Sequence, residues 1–305
     1  MEKFEVQILG CGSAQPTLRH NQTSQIVNVN DHLYMIDCGE GTQQQFRRHH
    51  LNFNRLNNVF ISHLHGDHCF GLPGLASTFA LRGRTAPLHI YAPSPLEDLL
   101  RPWMDYFLRG SQYEILLHTF STHTPDVIYE DKTVSVSTVP LNHRIPCCGF
   151  IVKEQPKLPA IRRDMIDFYQ IPVCHIANIK NGADWTLPDG TCVPNSRLVL
   201  PARPPRSYAY LSDTAFSPSA AQQAEGASLL FHEATFAEAD LERARETFHS
   251  TARQAAQAAQ LAHARQLLIG HFSSRYTDEA TLLQEAQEVF PNTVLAEEGG
   301  TVRVE

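Results

Sequence analysis

No apolar run in the 305-residue chain approaches the roughly 20 residues needed to span a bilayer, so no membrane helix is expected. The opening residues, Met1-Glu-Lys-Phe-Glu-Val-Gln-Ile-Leu, lack a cationic stretch followed by an apolar core, and no signal peptide is expected. Paired cysteines are missing as well. The seven present (Cys11, Cys38, Cys69, Cys147, Cys148, Cys174 and Cys192) are odd in number, scattered, and form no Cys-x-x-Cys. That argues against a disulfide framework and a structural zinc ribbon, and predicts buried, reduced thiols in a cytoplasmic protein. Charge is modest at 19%, beside 42% hydrophobic residues, which excludes global disorder. A net charge of −7 argues against a general nucleic-acid coat protein and leaves a site-specific RNA enzyme open.

What is present alternates between strand and helix texture. Phe4, Val6 and Ile8 alternate with Glu5 and Gln7, and residues 25–30 and 32–37 predict a hairpin joined by Asn-Asp. Residues 41–48 and 70–82 read as helices. Residues 58–62, 87–92, 133–139, 208–212, 228–232 and 267–270 read as strands, and 294–304 as two strand fragments around Gly299-Gly300. An Ala/Gln-rich helix over 250–263 starts on Ser-Thr, whose hydroxyls can cap free amides. This alternation predicts a layered α/β domain. Between 153 and 206 the texture changes to many prolines and a Pro-Asp-Gly turn. Eight Lys/Arg against five Asp/Glu make this segment +3, leaving −10 on the remainder. A basic insert on an acidic body is a charge asymmetry with a solvated loop as its simplest alternative.

The chemistry is concentrated at 61–68, Ile-Ser-His-Leu-His-Gly-Asp-His. His63 and His65, two apart on an extended segment, point the same way and can grip one metal. Gly66 is expected to permit a tight turn, after which Asp67 and His68 face a second metal. Two metals at about 3.5–4 Å clamp a phosphate and activate water. Four donors are too few for two metals. His143, Asp213 and His271 each lie just past a short apolar strand, which is how distant ligands converge on one sheet edge, and Asp213 is suited to bridge. The donor set favours zinc and admits manganese or iron.

This spacing resembles the metallo-β-lactamase superfamily, and the finer motifs resemble ribonuclease Z, the tRNA 3′-processing endoribonucleases. Asp37-Cys-Gly-Glu-Gly-Thr, Ser62 to Gly74, Ser212-Asp213-Thr214, His232-Glu-Ala-Thr-Phe, His249-Ser-Thr-Ala and His271-Phe-Ser-Ser-Arg-Tyr carry the resemblance across nearly the whole chain. It implies a four-layer αβ/βα sandwich over 1–305, with a tRNA-binding arm inserted at 153–206, and two Zn2+ per chain. It further implies a cytoplasmic homodimer that cuts precursor tRNA after the discriminator base, leaving a 3′-hydroxyl on the tRNA and a 5′-phosphate on the trailer. A metal-bridging hydroxide is the expected nucleophile, with Asp67 as base and His249, opening a helix outside the ligand set, as general acid. Asp37 is expected to fix a ligand histidine, with a simple turn aspartate as the alternative. Glu233 is expected to orient His249, with a surface carboxylate as the equal alternative.

Two departures stand out. Where the family has Gly-Pro in the arm, this chain has Val173-Cys174 or a neighbour. Where the family has Pro-x-Lys-x-Arg-Asn, Leu18 and His20 replace the lysine and arginine, between Pro16 and Asn21. In the family that loop borders the 3′-end pocket. Two other readings stay open at this stage: a superfamily thioesterase, lactamase or small-molecule phosphodiesterase, and a non-catalytic RNA-binding scaffold.

Overall fold

The computed structural model describes residues 2–305. It divides into two compact units, one ending at Lys153 and resuming over Arg206–Glu305, the other Glu154–Pro205.

In the larger unit, two seven-stranded sheets stack face to face. From edge to edge the first is Thr301–Arg303, Phe4–Gly10, Ser24–Val29, His32–Ile36, Leu56–Phe60, Leu88–Pro93 and Ile115–Phe120. The second is Thr293–Leu295, Leu267–Gly270, Leu229–Glu233, Ser207–Leu211, Cys148–Glu154, Val134–Pro140 and Val127–Glu130. Strand alternation sorts side chains into layers. Phe4, Val6, Ile8, Tyr34, Ile36 and Phe60 face the second sheet, meeting Phe150, Tyr208 and Tyr210. Ile26, Leu33, Met35, Leu56, Val59 and Ile90 face outward onto Phe46 of the helix Thr42–Arg48, and onto Leu72, Leu75 and Phe79 of Gly71–Leu81. On the far side of the second sheet lies Ala252–Leu261, whose alanines let it pack closely. The layers are helix, sheet, sheet, helix: the expected sandwich.

The hairpin turns at Asn30 and Asp31, both at positive φ (50° and 68°), the backbone a two-residue turn of this kind needs. Thr251 caps the last long helix in a reciprocal box with Gln254. Two expectations change. The helix expected over 70–82 begins earlier, as a turn Gly66–Cys69 followed by Gly71–Leu81. Gly66 therefore does not turn the chain at positive φ but opens a helical turn, where a Cβ would meet only the ring of the exposed Phe70. The two terminal fragments join different sheets, one at each edge.

The smaller unit has a core of its own, Ile171, Ile179, Val193 and Leu198, under three short helices and two two-stranded ladders. Its helix Val173–Lys180 starts directly after Pro172. Five cysteines are buried as expected, but Cys174 and Cys192 of this unit are exposed, a correction to the uniform expectation. No helix is long and apolar enough to cross a membrane among the described residues.

Candidate metal centre

The site lies where strands of both sheets end. Leu56–Phe60 leads to His63, Val134–Pro140 to His143, Ser207–Leu211 to Asp213, and Leu267–Gly270 directly to His271. Ser207–Leu211 and Leu267–Gly270 both pair parallel with Leu229–Glu233, so their C-terminal ends lie at one edge of the second sheet.

All seven expected donors come together in two groups that share Asp213: His63, His65, His143 with Asp213, and Asp67, His68, His271 with Asp213. Asp213 divides its oxygens between them. Oδ2 lies 3.6 Å from His63 Nε2 and 3.8 Å from His143 Nε2. Oδ1 lies 3.4 Å from His68 Nε2 and 3.2 Å from His271 Nε2. Asp67 Oδ2 is 3.4 and 3.3 Å from the same two nitrogens. His65 presents Nδ1, 3.1 Å from His63 Nε2 and 3.2 Å from His143 Nε2.

The surrounding hydrogen bonds set which nitrogen each imidazole offers. Nδ1–H is donated by His68 to Asp37 Oδ2 (2.8 Å), by His143 to the Phe248 carbonyl (3.0 Å), by His63 to Ser62 Oγ (3.0 Å) and by His271 to Thr235 Oγ1 (2.9 Å). Both hydroxyls accept because each gives its own proton away, Ser62 to Asp37 at 2.9 Å and Thr235 to Glu233 at 2.7 Å. All four rings are left with Nε2 aimed inward, the orientation a metal ligand requires. The buried Nε2 of His68 has no hydrogen-bond partner. An orphaned buried nitrogen facing two carboxylates fits a cation, and the donor set as a whole fits two.

Electrostatics agree. Burial, then the His68 charge, holds His63 well below the usual imidazole range, so it is neutral as a ligand must be. Burial also lowers His143 and His65. His68 goes the other way: burial would lower it, but Asp213, Asp67 and Asp37 outweigh burial and raise it. Burial would raise Asp67 and Asp213, yet His68 and His271 hold both below the carboxylate range. His65 and His143 are half-buried while the second group is buried, so the first group faces the approach.

His249 is not among the seven but stands beside them, its ring 5.1 Å from His143 and 5.4 Å from His271. It lies two residues ahead of the cap Thr251 rather than inside the helix. Its Nδ1 is 2.9 Å from Glu233 Oε1, which also accepts from the Ser250 and Thr214 amides. Glu233 is fully buried, so the surface-carboxylate alternative is corrected. Burial would lower His249, but Glu233 raises it to about 9. Asp37 is likewise a buried hub, accepting also from the Ser62 amide and Tyr210 Oη (2.7 Å). Ser62, Thr235, Tyr210 and the Phe248 carbonyl were not singled out by the sequence. Ser62 and Thr235 lie inside recognised motifs; Tyr210 and Phe248 carry no signal.

Fold and site define the class: a metallo-β-lactamase-fold protein with a paired His/Asp donor centre. Residues 4–289 match the family model described as Anti-Pycsar protein Apyc1. Relatives named ribonuclease Z are 58% identical in Bacteroides fragilis, covering 98% of each chain, and 57% identical in Phocaeicola vulgatus, covering 100% of this chain and 99% of that one. Human tRNase Z, short form, superposes with a TM-score of 0.71 at 26% identity, covering 99% of each chain. The metallo-β-lactamase fold protein YhfI from Bacillus subtilis, at 17% identity and a TM-score of 0.70, shares the fold. The chain belongs to the ribonuclease Z family of hydrolases, within reach of the Apyc1 family model.

Proposed function

We propose that the chain is a zinc-dependent endoribonuclease that removes the 3′ trailer from precursor tRNA, cutting after the discriminator base to leave a tRNA 3′-hydroxyl and a trailer 5′-phosphate. The observation that carries this reading is Asp213 offering one oxygen to each of two donor groups in a chain 58% identical to ribonuclease Z. His63, His65, His143 and Asp213 Oδ2 would hold one ion; Asp67, His68, His271 and Asp213 Oδ1 the other. Two bound zinc ions lower the pKa of water to around 7 and neutralise phosphate charge.

The protein's own groups do the rest. Asp67, kept ionised by its histidine neighbours, orients the attacking water and takes its proton. His249, kept protonated by Glu233, gives a proton to the leaving 3′-oxygen. The bond broken is that between phosphorus and the 3′-oxygen, which is why the phosphate stays on the trailer, and no 2′-hydroxyl attack is needed.

The insert Glu154–Pro205 is the tRNA-gripping arm in this reading, supported by its separate core; its own excess is six Lys/Arg over five Asp/Glu, and the rest of the basic excess of 153–206 lies at its two ends, on Lys153 and Arg206. The 16–21 loop sets the handling of CCA-containing ends. Leu18 there is fully exposed, while His20 is engaged by Glu279 (3.0 Å). Leu18→Lys should change the ratio of cleavage of precursors with and without an encoded CCA; an unchanged ratio removes this role. A cytoplasmic homodimer completes the proposal, and sedimentation of the purified protein at dimer mass is the expected result.

The test of the function is a competition of substrates. Purified protein should cut a trailer-bearing precursor tRNA at one bond and turn over a small phosphodiester only slowly. No cleavage of the precursor, with efficient turnover of the small ester, would favour the phosphodiesterase reading.

A further inference from the structure

A second group of metal-ligating side chains lies outside the paired centre and shares no donor with it. Cys11 Sγ is 3.3 Å from His20 Nδ1, and Glu298 Oε1 is 3.9 Å from the same nitrogen. All three donor atoms fall within 4.8 Å of one another. The residues come from the end of the first strand, the 12–21 loop and the turn after Thr293–Leu295. Cys11 is buried, and His20 and Glu298 are half-buried.

We propose that Cys11, His20 and Glu298 form a third metal site, for one zinc-like divalent ion, that pins the 12–21 loop beside the paired centre. A thiolate, an imidazole and a carboxylate are a borderline-soft set suited to zinc, and the two anions balance a divalent charge.

The supporting contacts are already those of a ligand shell. Glu279 Oε1, 3.0 Å from His20 Nε2, takes that ring's N–H and leaves the Nδ1 lone pair facing Cys11. Arg19 donates to the same Glu279 oxygen and lies 3.1 Å from Nε2. Glu298 is oriented from behind: the Asn21 amide donates to Oε1, and Asn21 Nδ2 (2.6 Å) and Gln45 Nε2 (3.4 Å) donate to Oε2. Burial, then Glu298 and Glu279, push the Cys11 thiol well above its ordinary range, so without a cation the sulfur keeps its proton and shares it with His20. Binding exchanges that proton for the metal: the S–H bond breaks, a sulfur–metal bond forms, and one proton leaves to solvent.

Position gives the site a consequence. The Phe272 amide donates to the Cys11 carbonyl (2.9 Å), the Ser13 amide to the Phe272 carbonyl (3.1 Å), and the His20 ring lies 5.9 Å from that of Phe272. Phe272 follows His271, so an ion here fixes the backbone next to a donor of the paired centre.

Cobalt(II) reads this site selectively, because the paired centre holds no sulfur and gives no thiolate-to-cobalt charge-transfer band. The whole chain, stripped by chelation and refilled with Co2+, should bind three ions and show that near-ultraviolet band. Cys11→Ser should abolish the band and leave two ions. Glu298→Gln, which keeps a neutral amide in place and removes no buried sulfur, should weaken the third ion at least tenfold even if Cys11→Ser fails to fold. Cys174→Ser with Cys192→Ser should change nothing, which removes the exposed thiols as the source. Wild-type protein that saturates at two Co2+ without the band, or a band that survives Cys11→Ser, would overturn the proposal and leave His20 as a partner of two carboxylates.

Discussion

His249 owes its protonation chiefly to Glu233, whose Oε1 lies at 2.9 Å, with Asp213 and Asp67 adding to the shift; two more of the Glu233 carboxylate's contacts are backbone amides that hold it still. Because the folded-state pKa of His249 is raised to about 9, the proton is present at neutral pH and is lost as pH rises through that value. The stability the pair contributes is full below the ordinary imidazole range and is lost over the same rise. Glu233→Gln should therefore move the alkaline limb of the kcat–pH profile down by roughly one to three units. An unmoved limb would mean that His249 is not the proton donor. Asp37→Ala removes the acceptor of His68, Ser62 and Tyr210 at once. It should cost about 3 kcal/mol or more in denaturant unfolding and weaken metal affinity roughly 10–100-fold. The seven candidate donors were legible as residue types at or just past strand ends, and His249 as the residue opening a helix in a motif that resembles the family's. Three positive-φ residues at the site, Asp37, Phe248 and His271 at 57°, 59° and 63°, were not. None is glycine, and such backbone is imposed by packing rather than by local preference.

Elements supply the rigidity that these residues depend on. The turn Gly66–Cys69 and the helix Gly71–Leu81 seat against Asp37–Gly39 so closely that a Cβ on Gly71 would strike the Gly39 carbonyl. Gly71→Ala should displace the turn carrying Asp67 and His68, lowering metal affinity along with thermal stability; stability lost with metal affinity intact would contradict this coupling. At the other end of the site, Thr251→Ala removes one half of the capping box and should cost about 1 kcal/mol, read as a lower melting temperature. The strands that carry donors were visible because their ends switch from apolar to His or Asp. The early start at Gly66 was not, because Asp and His are indifferent helix formers, and it is tertiary contact with the first sheet that closes that turn. The parting of 294–304 into two sheets was likewise hidden, since short strands carry no record of their partners.

For the whole molecule, the question is how an acidic body handles an anionic substrate. The insert leaves and rejoins the second sheet where Lys153 pairs with Ser207, so its two ends are neighbours and it can be excised with a short linker. The excised protein should keep its turnover of a small phosphodiester and lose affinity for precursor tRNA. The intact enzyme should bind precursor less well as salt rises, with a shallower dependence after excision. Equal KM for precursor in both proteins would remove the arm from recognition. The most direct measurement of the central claim is cleavage of a 3′-trailered precursor tRNA by the intact chain, before and after chelation, beside Asp67→Ala. A single cut after the discriminator base, abolished by chelator, restored by zinc and absent in Asp67→Ala, is the predicted result. Cleavage that survives chelation, or that Asp67→Ala retains in full, would contradict it.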